Sequence, residues 1–176
     1  MPVELGLQRL LASGRWRGQR VGLVCNPASV DAGLRHAADL FAQRQDLRLT
    51  ALFGPQHGFH SDLQDNMIET PHARDARRRV PVYSLYSDTR EPTAEMLAGL
   101  DALVLDLQDV GARIYTFVYT MANCLRAAAR HGVPVIVDFA ATSLSGGHRE
   151  EEQQGSGREQ TNAEWLADYA AASHGQ

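Results

Sequence analysis

One stretch of the sequence, residues 102–113, constrains the fold more than any other. It begins as an apolar run and then gives way abruptly to polar side chains, those of Asp106, Gln108, Asp109 and Arg113. This pattern is typical of a buried strand that delivers polar groups at its carboxyl end, which is where open parallel sheets bind ligands. The runs at residues 21–26 and 47–57 end in the same way, so the sequence predicts one site at which several strands end.

Strands alternate with helices along most of the chain. Short apolar runs predict strands at residues 20–25, 47–53, 80–85, 102–107 and 133–137. Helical spacing of apolar residues, together with start and stop signals, predicts helices at 5–12, 31–43, 92–99 and 116–131. Such alternation indicates a parallel sheet with right-handed crossovers, and the lack of polar alternation within the strands indicates that both faces are covered. We therefore expect an α/β fold, a three-layer Rossmann-like domain with a mostly parallel sheet, over residues 1–140.

Two regions do not fit this alternation. Residues 56–79 are polar without a clear period, and such long connections are often functional. Residues 141–176 form a divergent polar tail, which we expect to be disordered apart from a candidate short helix at 162–172.

Composition excludes several classes of function. The net charge is −4, so the chain lacks the basic surface of a nucleic-acid-binding protein. All 17 basic residues are arginine, which excludes a Schiff-base lysine and a P-loop lysine. Asn26 and Pro27 stand where a glycine-rich dinucleotide motif would follow the first strand, and the histidines lack metal-ligand spacing. We therefore expect no cofactor and no metal.

The sequence also bears on localisation. No apolar run reaches the ~18 residues of a transmembrane helix. The first residues lack the basic and apolar regions of a signal peptide, so we expect the chain as given to be cytoplasmic.

Two polar groups are candidates for chemistry, and each has a structural alternative. In the first, residues 54–59, glycines permit a sharp turn, and His57 is either a general acid, base or ligand, or a turn residue bonded to backbone. In the second, Asp109 and Arg113 either work on a substrate or form an ion pair at the start of the next helix. The tyrosines either belong to the core or stack against a sugar ring; they are Tyr83, Tyr86, Tyr115 and Tyr119.

Taken in order, these motifs resemble the exo-β-N-acetylmuramidase family, long catalogued as DUF1343. The resemblance lies at residues 22–27, 52–59, 81–86, 89–97 and 106–116. It implies a glycoside hydrolase that releases N-acetylmuramic acid from the non-reducing end of peptidoglycan fragments. It also implies a Rossmann-like N-terminal domain, and a smaller C-terminal domain that completes the cleft. Family members are often exported.

The resemblance assigns roles to individual residues. The catalytic candidates are Gln56, His57, Glu69 and Asp109. Arg90 or Arg113 would hold the lactyl carboxylate of the sugar, because an arginine fork suits a carboxylate. The other expected substrate-binding residues are Asn26, Tyr86, Asp106, Gln108 and Tyr115.

The chain departs from the family pattern at two places. Gln56 stands where the family carries a glutamate, the proposed catalytic acid, and an amide cannot deliver a proton. Either Glu69, Asp106 or Asp109 compensates, or the 2-acetamido group of the substrate assists and reduces the need for carboxylates. After residue 137 the family motif and the C-terminal domain are missing, so we expect a truncated or frame-shifted product. The alternatives to a hydrolase are a non-catalytic sugar-binding module and a non-functional fragment.

Overall fold

A computed structural model describes residues 6–60, 69–108 and 116–138 of the protein. Within these ranges the elements follow in the order α1 (Gly6–Ala12), β1 (Arg20–Cys25), α2 (Ala37–Ala42), β2 (Arg48–Gly54), β3 (Ala73–Asp75), β4 (Val80–Ser84), α3 (Ala94–Leu97), β5 (Ala102–Asp106), α4 (Phe117–His131) and β6 (Val135–Asp138). None of the helices in these ranges is long and apolar enough to cross a membrane.

The strands form one sheet in the order β3-β4-β2-β1-β5-β6. All neighbouring pairs are parallel except β3 with β4. From β1 the chain crosses to β2 on one side, whereas β5 pairs with β1 on the other side. The carboxyl ends of β1 and β5 therefore flank a topological switch point, the position at which open α/β sheets bind ligands. The predicted α/β fold with a mostly parallel sheet is confirmed.

Helices cover both faces of the sheet. On one face, Leu103 and Leu105 pack in a cluster with residues of α3 and α4, including Cys124 and Leu125. On the other face, Val104 packs in a second cluster with residues of α1 and α2. All five residues of β5 are buried. This two-sided cover explains why the strand is an almost continuous apolar run.

The helix predicted over residues 31–43 is wrong in its first half, because α2 begins only at Ala37. The Asp31 Oδ1 accepts hydrogen bonds from the backbone N–H groups of Gly33 and Arg35, both at 2.9 Å. Leu34 has a φ of 58° and is 82% exposed, although its spacing suggested a buried helical position. A short acidic side chain that bonds to nearby backbone N–H groups favours a turn over a helix, and here it keeps residues 31–36 out of α2.

The short strand β3 was missed. It lies in the polar connection at residues 56–79, pairs antiparallel with β4 at the edge of the sheet, and buries none of its three residues fully. A strand held mainly by backbone bonds leaves no apolar pattern in the sequence.

Candidate functional site

A tight loop follows β2 and carries two of the predicted site residues. Gly54 allows the loop to fold back, because a Cβ on it would lie 2.6 Å from the backbone nitrogen of Phe59. The N–H of Gly58 then closes a turn on the carbonyl of Pro55 at 3.0 Å. His57 has a φ of 72°, a conformation that costs a non-glycine residue free energy and recurs at functional sites. The backbone of this loop is therefore fixed by specific contacts.

The side chain of Gln56 is oriented by α4. The hydroxyl of Thr116, immediately before that helix, donates to Gln56 Oε1 at 2.7 Å. This bond distinguishes the two ends of the amide, since the hydroxyl hydrogen requires an oxygen as acceptor. The amide nitrogen of Gln56, on a half-buried side chain, then remains as the donor for a ligand.

Asn26 joins the ends of β1 and β5 across the switch point. Its Nδ2 donates to the carbonyl of Gln108 at 3.1 Å, and its Oδ1 accepts from the N–H of Ala28 at 3.1 Å. The side chain is buried, with 4% exposed. Asn26 therefore ties the end of β1 to the end of β5, and its polar groups are largely engaged in these contacts.

Two buried carboxyl groups end neighbouring strands at the same edge of the sheet. Asp106 of β5 and Asp138 of β6 are directly paired in register and are 3% and 8% exposed. The Oδ2 of Asp106 has no hydrogen-bond partner among the described residues. Burial, and secondarily the charge of Asp138, raises the pKa of Asp106 to about 7, and burial raises the pKa of Asp138 as well. The pair can hold a proton near neutral pH, as a general acid must.

This carboxyl pair lies on the α1 side of the sheet. Side chains alternate along a strand, so Asp106 shares its face with Val104, which packs toward α1 and α2. A Cβ added to Gly6 of α1 would overlap the carboxylate of Asp138. Asp106 is thus covered by protein rather than open to the crevice.

The loop after β4 carries a stacked arginine. The guanidinium carbon of Arg90 lies 3.8 Å from the centre of the Tyr86 ring. Its Nη1 donates to the carbonyl of Ser87, and its Nη2 lies 3.5 Å from Glu69 Oε1. The side chain of Asn123, on α4, donates to the Arg90 carbonyl at 2.8 Å. Three of the predicted residues, Glu69, Tyr86 and Arg90, therefore form one cluster.

The loops that carry Gln56 and Tyr86 are neighbours. Gly54 and Ser84 are paired where β2 and β4 end, and the N–H of Leu85 donates to the Gly54 carbonyl at 2.8 Å. Gln56 and Tyr86 each follow two residues beyond this pair. α4 bonds to both loops, through Thr116 and Asn123.

Seven of the predicted site residues end or follow strands at one edge of the sheet. They are Asn26, Gln56, His57, Tyr86, Arg90, Asp106 and Gln108, whereas Glu69 precedes β3. The remaining predicted residues, Asp109, Arg113 and Tyr115, lie outside the described residues. In the described ranges, no three histidine, cysteine or acidic side chains are grouped in a way that suits a metal ion.

Sequence reasoning missed three supporting residues. Thr116 and Asn123 belong to the predicted helix 116–131, but their bonds to distant loops have no local signal. His36 caps α2: its Nδ1 accepts from the N–H of Ala38 at 3.2 Å, and its Nε2 lies 3.0 Å from the Asn26 carbonyl. These two contacts require the neutral ring protonated at Nε2, and burial lowers the pKa of His36.

Known proteins share this sequence pattern. Residues 21–148 match the sequence profile of a family described as exo-beta-N-acetylmuramidase NamZ, N-terminal. The chain is 42% identical over 150 residues to peptidoglycan beta-N-acetylmuramidase NamZ of Bacillus subtilis (strain 168). That match covers 84% of the chain and 36% of the relative, so the chain spans little more than a third of the relative's length.

Two solved structures share the fold. Both are DUF1343 family proteins from Bacteroides fragilis NCTC 9343. The first is 38% identical with a TM-score of 0.68, over 77% of this chain and 34% of that protein. The second is 23% identical with a TM-score of 0.64, over 81% of this chain and 36% of that protein, and supports the fold alone.

Proposed function

This chain belongs to the family of the N-terminal domain of exo-beta-N-acetylmuramidase NamZ, and from that premise we propose that it forms the α/β half of a glycosidase site for a peptidoglycan-derived sugar. The sugar would be an N-acetylmuramic acid residue at the non-reducing end of a fragment. The observation that carries this proposal is the contact between Gln56 and Thr116, which fixes the side chain at the position of the family's catalytic acid beside the edge where five parallel strands end.

Gln56 and His57 would contact the sugar at the bond to be cleaved. The amide nitrogen of Gln56 can donate a hydrogen bond to a sugar oxygen but cannot transfer its proton there at neutral pH. Glu69 and Asp109 are the candidate carboxylates of the reaction. Gln108 and Tyr115 would position the ring, and Asn26 would hold the Gln108 backbone in place.

The proton that a leaving group needs must come from another group if the chain is active. Asp106 has a pKa of about 7 and therefore keeps its proton in part at neutral pH. Because its side chain is buried on the α1 side of the sheet, it could hold a proton there but could not hand it directly to a leaving group. Participation by the 2-acetamido group of the sugar would replace one carboxylate.

Release of N-acetylmuramic acid from a chromogenic muramide tests the proposal. We expect weak release by the full chain and faster release by its Gln56→Glu variant, because the carboxyl restores an acid at the cleavage point. A Gln56→Ala variant is the matched control and should not gain activity. If neither the chain nor Gln56→Glu releases the sugar, a hydrolase role is excluded.

Gln56 itself favours a second candidate, a module that binds the sugar without cleaving it. An oriented amide is suited to recognition, whereas an acid catalyst requires a carboxyl group at this position. Calorimetric titration with N-acetylmuramic acid separates the two candidates. Affinity without turnover would favour the binding module.

A further inference from the structure

We infer that Arg90 is the residue that selects an acidic sugar over a neutral one, and that Glu69 is an internal counter-ion that the sugar's carboxylate replaces. The inference rests on the proposed function and narrows it. It assigns the carboxylate contact to Arg90 and makes Glu69 a counter-ion in place of the catalytic role considered above, which leaves Asp109 as the candidate carboxylate of the reaction.

The side chain of Arg90 is held ready for a ligand. The ring of Tyr86 supports one face of the guanidinium at 3.8 Å, and the Ser87 carbonyl accepts from Nη1. Asn123 fixes the Arg90 backbone by donating to its carbonyl at 2.8 Å. Stacking and a forked donor set are the features for which arginine is favoured over lysine in carboxylate recognition. Ordering such a side chain before binding reduces the entropy lost on binding.

The contact between Arg90 and Glu69 is loose. Arg90 Nη2 and Glu69 Oε1 are 3.5 Å apart, and the two side chains are 44% and 58% exposed. An exposed pair of this kind adds little to stability. A substrate carboxylate that binds both guanidinium nitrogens would therefore displace Glu69 at little cost.

The ion pair between Arg20 and Asp101 has the geometry of a more tightly held contact. Asp101 accepts from both Nε and Nη2 of Arg20, at 3.1 and 2.8 Å, and also from the Arg20 backbone N–H at 2.7 Å. The pKa of Asp101 falls to about 2, mainly through these hydrogen bonds. The single 3.5 Å contact of Glu69 has no such geometry.

The α4 region anchors both Gln56 and Arg90. Thr116 and Asn123, which bond to Gln56 and Arg90, are seven residues apart on or beside α4, a rise of roughly 10 Å at 1.5 Å per residue. Gln56 and Arg90 are therefore held about two helical turns apart along α4. A sugar whose reacting bond lies at Gln56 would extend its acidic substituent toward Arg90.

Calorimetric titration of the full chain with two sugars tests the inference. N-acetylmuramic acid and N-acetylglucosamine differ only in the lactyl ether that carries the carboxylate. We expect Arg90→Gln to weaken N-acetylmuramic acid about tenfold, as the loss of one charge-assisted contact does, and to leave N-acetylglucosamine within about twofold. We expect Arg90→Lys, which keeps the charge without the fork, to fall between the two.

Glu69→Gln should change the affinity for N-acetylmuramic acid in the opposite direction. Removal of the competing carboxylate should tighten N-acetylmuramic acid about threefold, in line with the small worth of an exposed pair. Arg48→Gln, an exposed arginine at the amino end of β2, is the matched control for loss of one charge and should change neither affinity. Thermal unfolding of each variant should occur within about 2 °C of the wild type, because exposed substitutions shift stability little.

The outcomes separate the inference from the proposed function. If the wild type binds neither sugar, the proposed function fails and the inference fails with it. If both sugars bind and Arg90→Gln weakens them equally, or if Glu69→Gln weakens N-acetylmuramic acid, the inference alone is overturned.

Discussion

Thr116 and Gln56 are 60 residues apart in the sequence, yet the hydroxyl of Thr116 donates to the side-chain oxygen of Gln56 over 2.7 Å. This hydrogen bond joins the loop after β2 to the start of α4. It also decides which end of the Gln56 amide can meet a ligand, so the chemistry of the loop depends on a helix that begins far along the chain.

The same hydroxyl should set the acidity of a carboxyl group at this position. In Gln56→Glu, Thr116 would donate to the carboxylate, which favours the charged form and lowers the carboxyl pKa. Adding Thr116→Val should therefore raise that pKa by about 0.5–1 unit, the equivalent of one hydrogen bond. Side-chain carboxyl chemical shifts followed through a pH titration measure it. Thr116→Ser keeps the hydroxyl and should leave the pKa unchanged; the same pKa in all three proteins would contradict the contact.

The buried pair of Asp106 and Asp138 should make the protein less stable as the pH rises. The pKa of Asp106 is about 7 in the folded protein and about 4 in the unfolded chain, so the folded state binds more protons between these values. The free energy of unfolding should accordingly fall as the pH rises from about 4 to 7. Asp106→Asn mimics the protonated carboxyl, and should be nearly neutral at pH 4 but stabilising by roughly 1–4 kcal/mol at pH 8.

Urea denaturation of both proteins at several pH values measures this difference. Asp101 is the matched control, because its pKa is lowered by hydrogen bonds from Arg20 rather than raised. Asp101→Asn should therefore lose stability at pH 8 relative to the wild type, and the loss should shrink as the pH falls toward 2. An Asp106→Asn effect that is independent of pH would show that the carboxyl is already ionised at neutral pH.

His36 should make α2 sensitive to acid. Its Nδ1 accepts from the N–H of Ala38, and protonation of that nitrogen would break the cap. Because the pKa of His36 is lowered in the fold, the unfolded chain binds the proton more readily, and stability should fall as the pH drops below about 6.5. Asn at this position also caps helices but does not titrate. The stability of His36→Asn relative to the wild type should therefore improve between pH 7.5 and pH 5, as measured by denaturant titration; a constant difference would rule out this linkage.

Gly54 should tolerate no side chain. The Cβ of Gly54→Ala would lie 2.6 Å from the backbone nitrogen of Phe59, so the loop that holds Gln56 and His57 must move. We expect a loss of about 1–3 kcal/mol in the free energy of unfolding, the usual cost of overpacking. Gly33→Ala is the control, because its Cβ would meet only side-chain atoms, the nearest at 3.3 Å, and should cost much less. Equal stabilities of the two variants would contradict the close approach.

The central elements could be predicted because their burial is complete. β1 and β5 lie inside the sheet with both faces covered, so their sequences are apolar apart from the exposed Arg20 at the start of β1 and Asp106 at the end of β5. The helix predicted at 116–131 appears as α4, and Gly132 ends it with a φ of 67°. These patterns depend only on residues that are adjacent in the chain.

The start of α2 and the presence of β3 were not predicted from the sequence, because they depend on individual polar contacts. The side chain of Asp31 bonds to backbone nearby and delays α2, and β3 forms on the edge of the sheet with little burial. Neither event changes the apolar pattern from which helices and strands are inferred.

The sequence by itself determined the five parallel strands and the polar residues that follow them, because apolar burial and the turn residues act locally. Only the tertiary structure decided which of those residues meet. Strand order places Asp106 beside Asp138 and lets Asn26 reach Gln108, while the packing of α4 brings Thr116 to Gln56. The pKa of Asp106 and the orientation of the Gln56 amide arise from these neighbours, and such contacts depend on sheet register and helix packing, which no local pattern specifies.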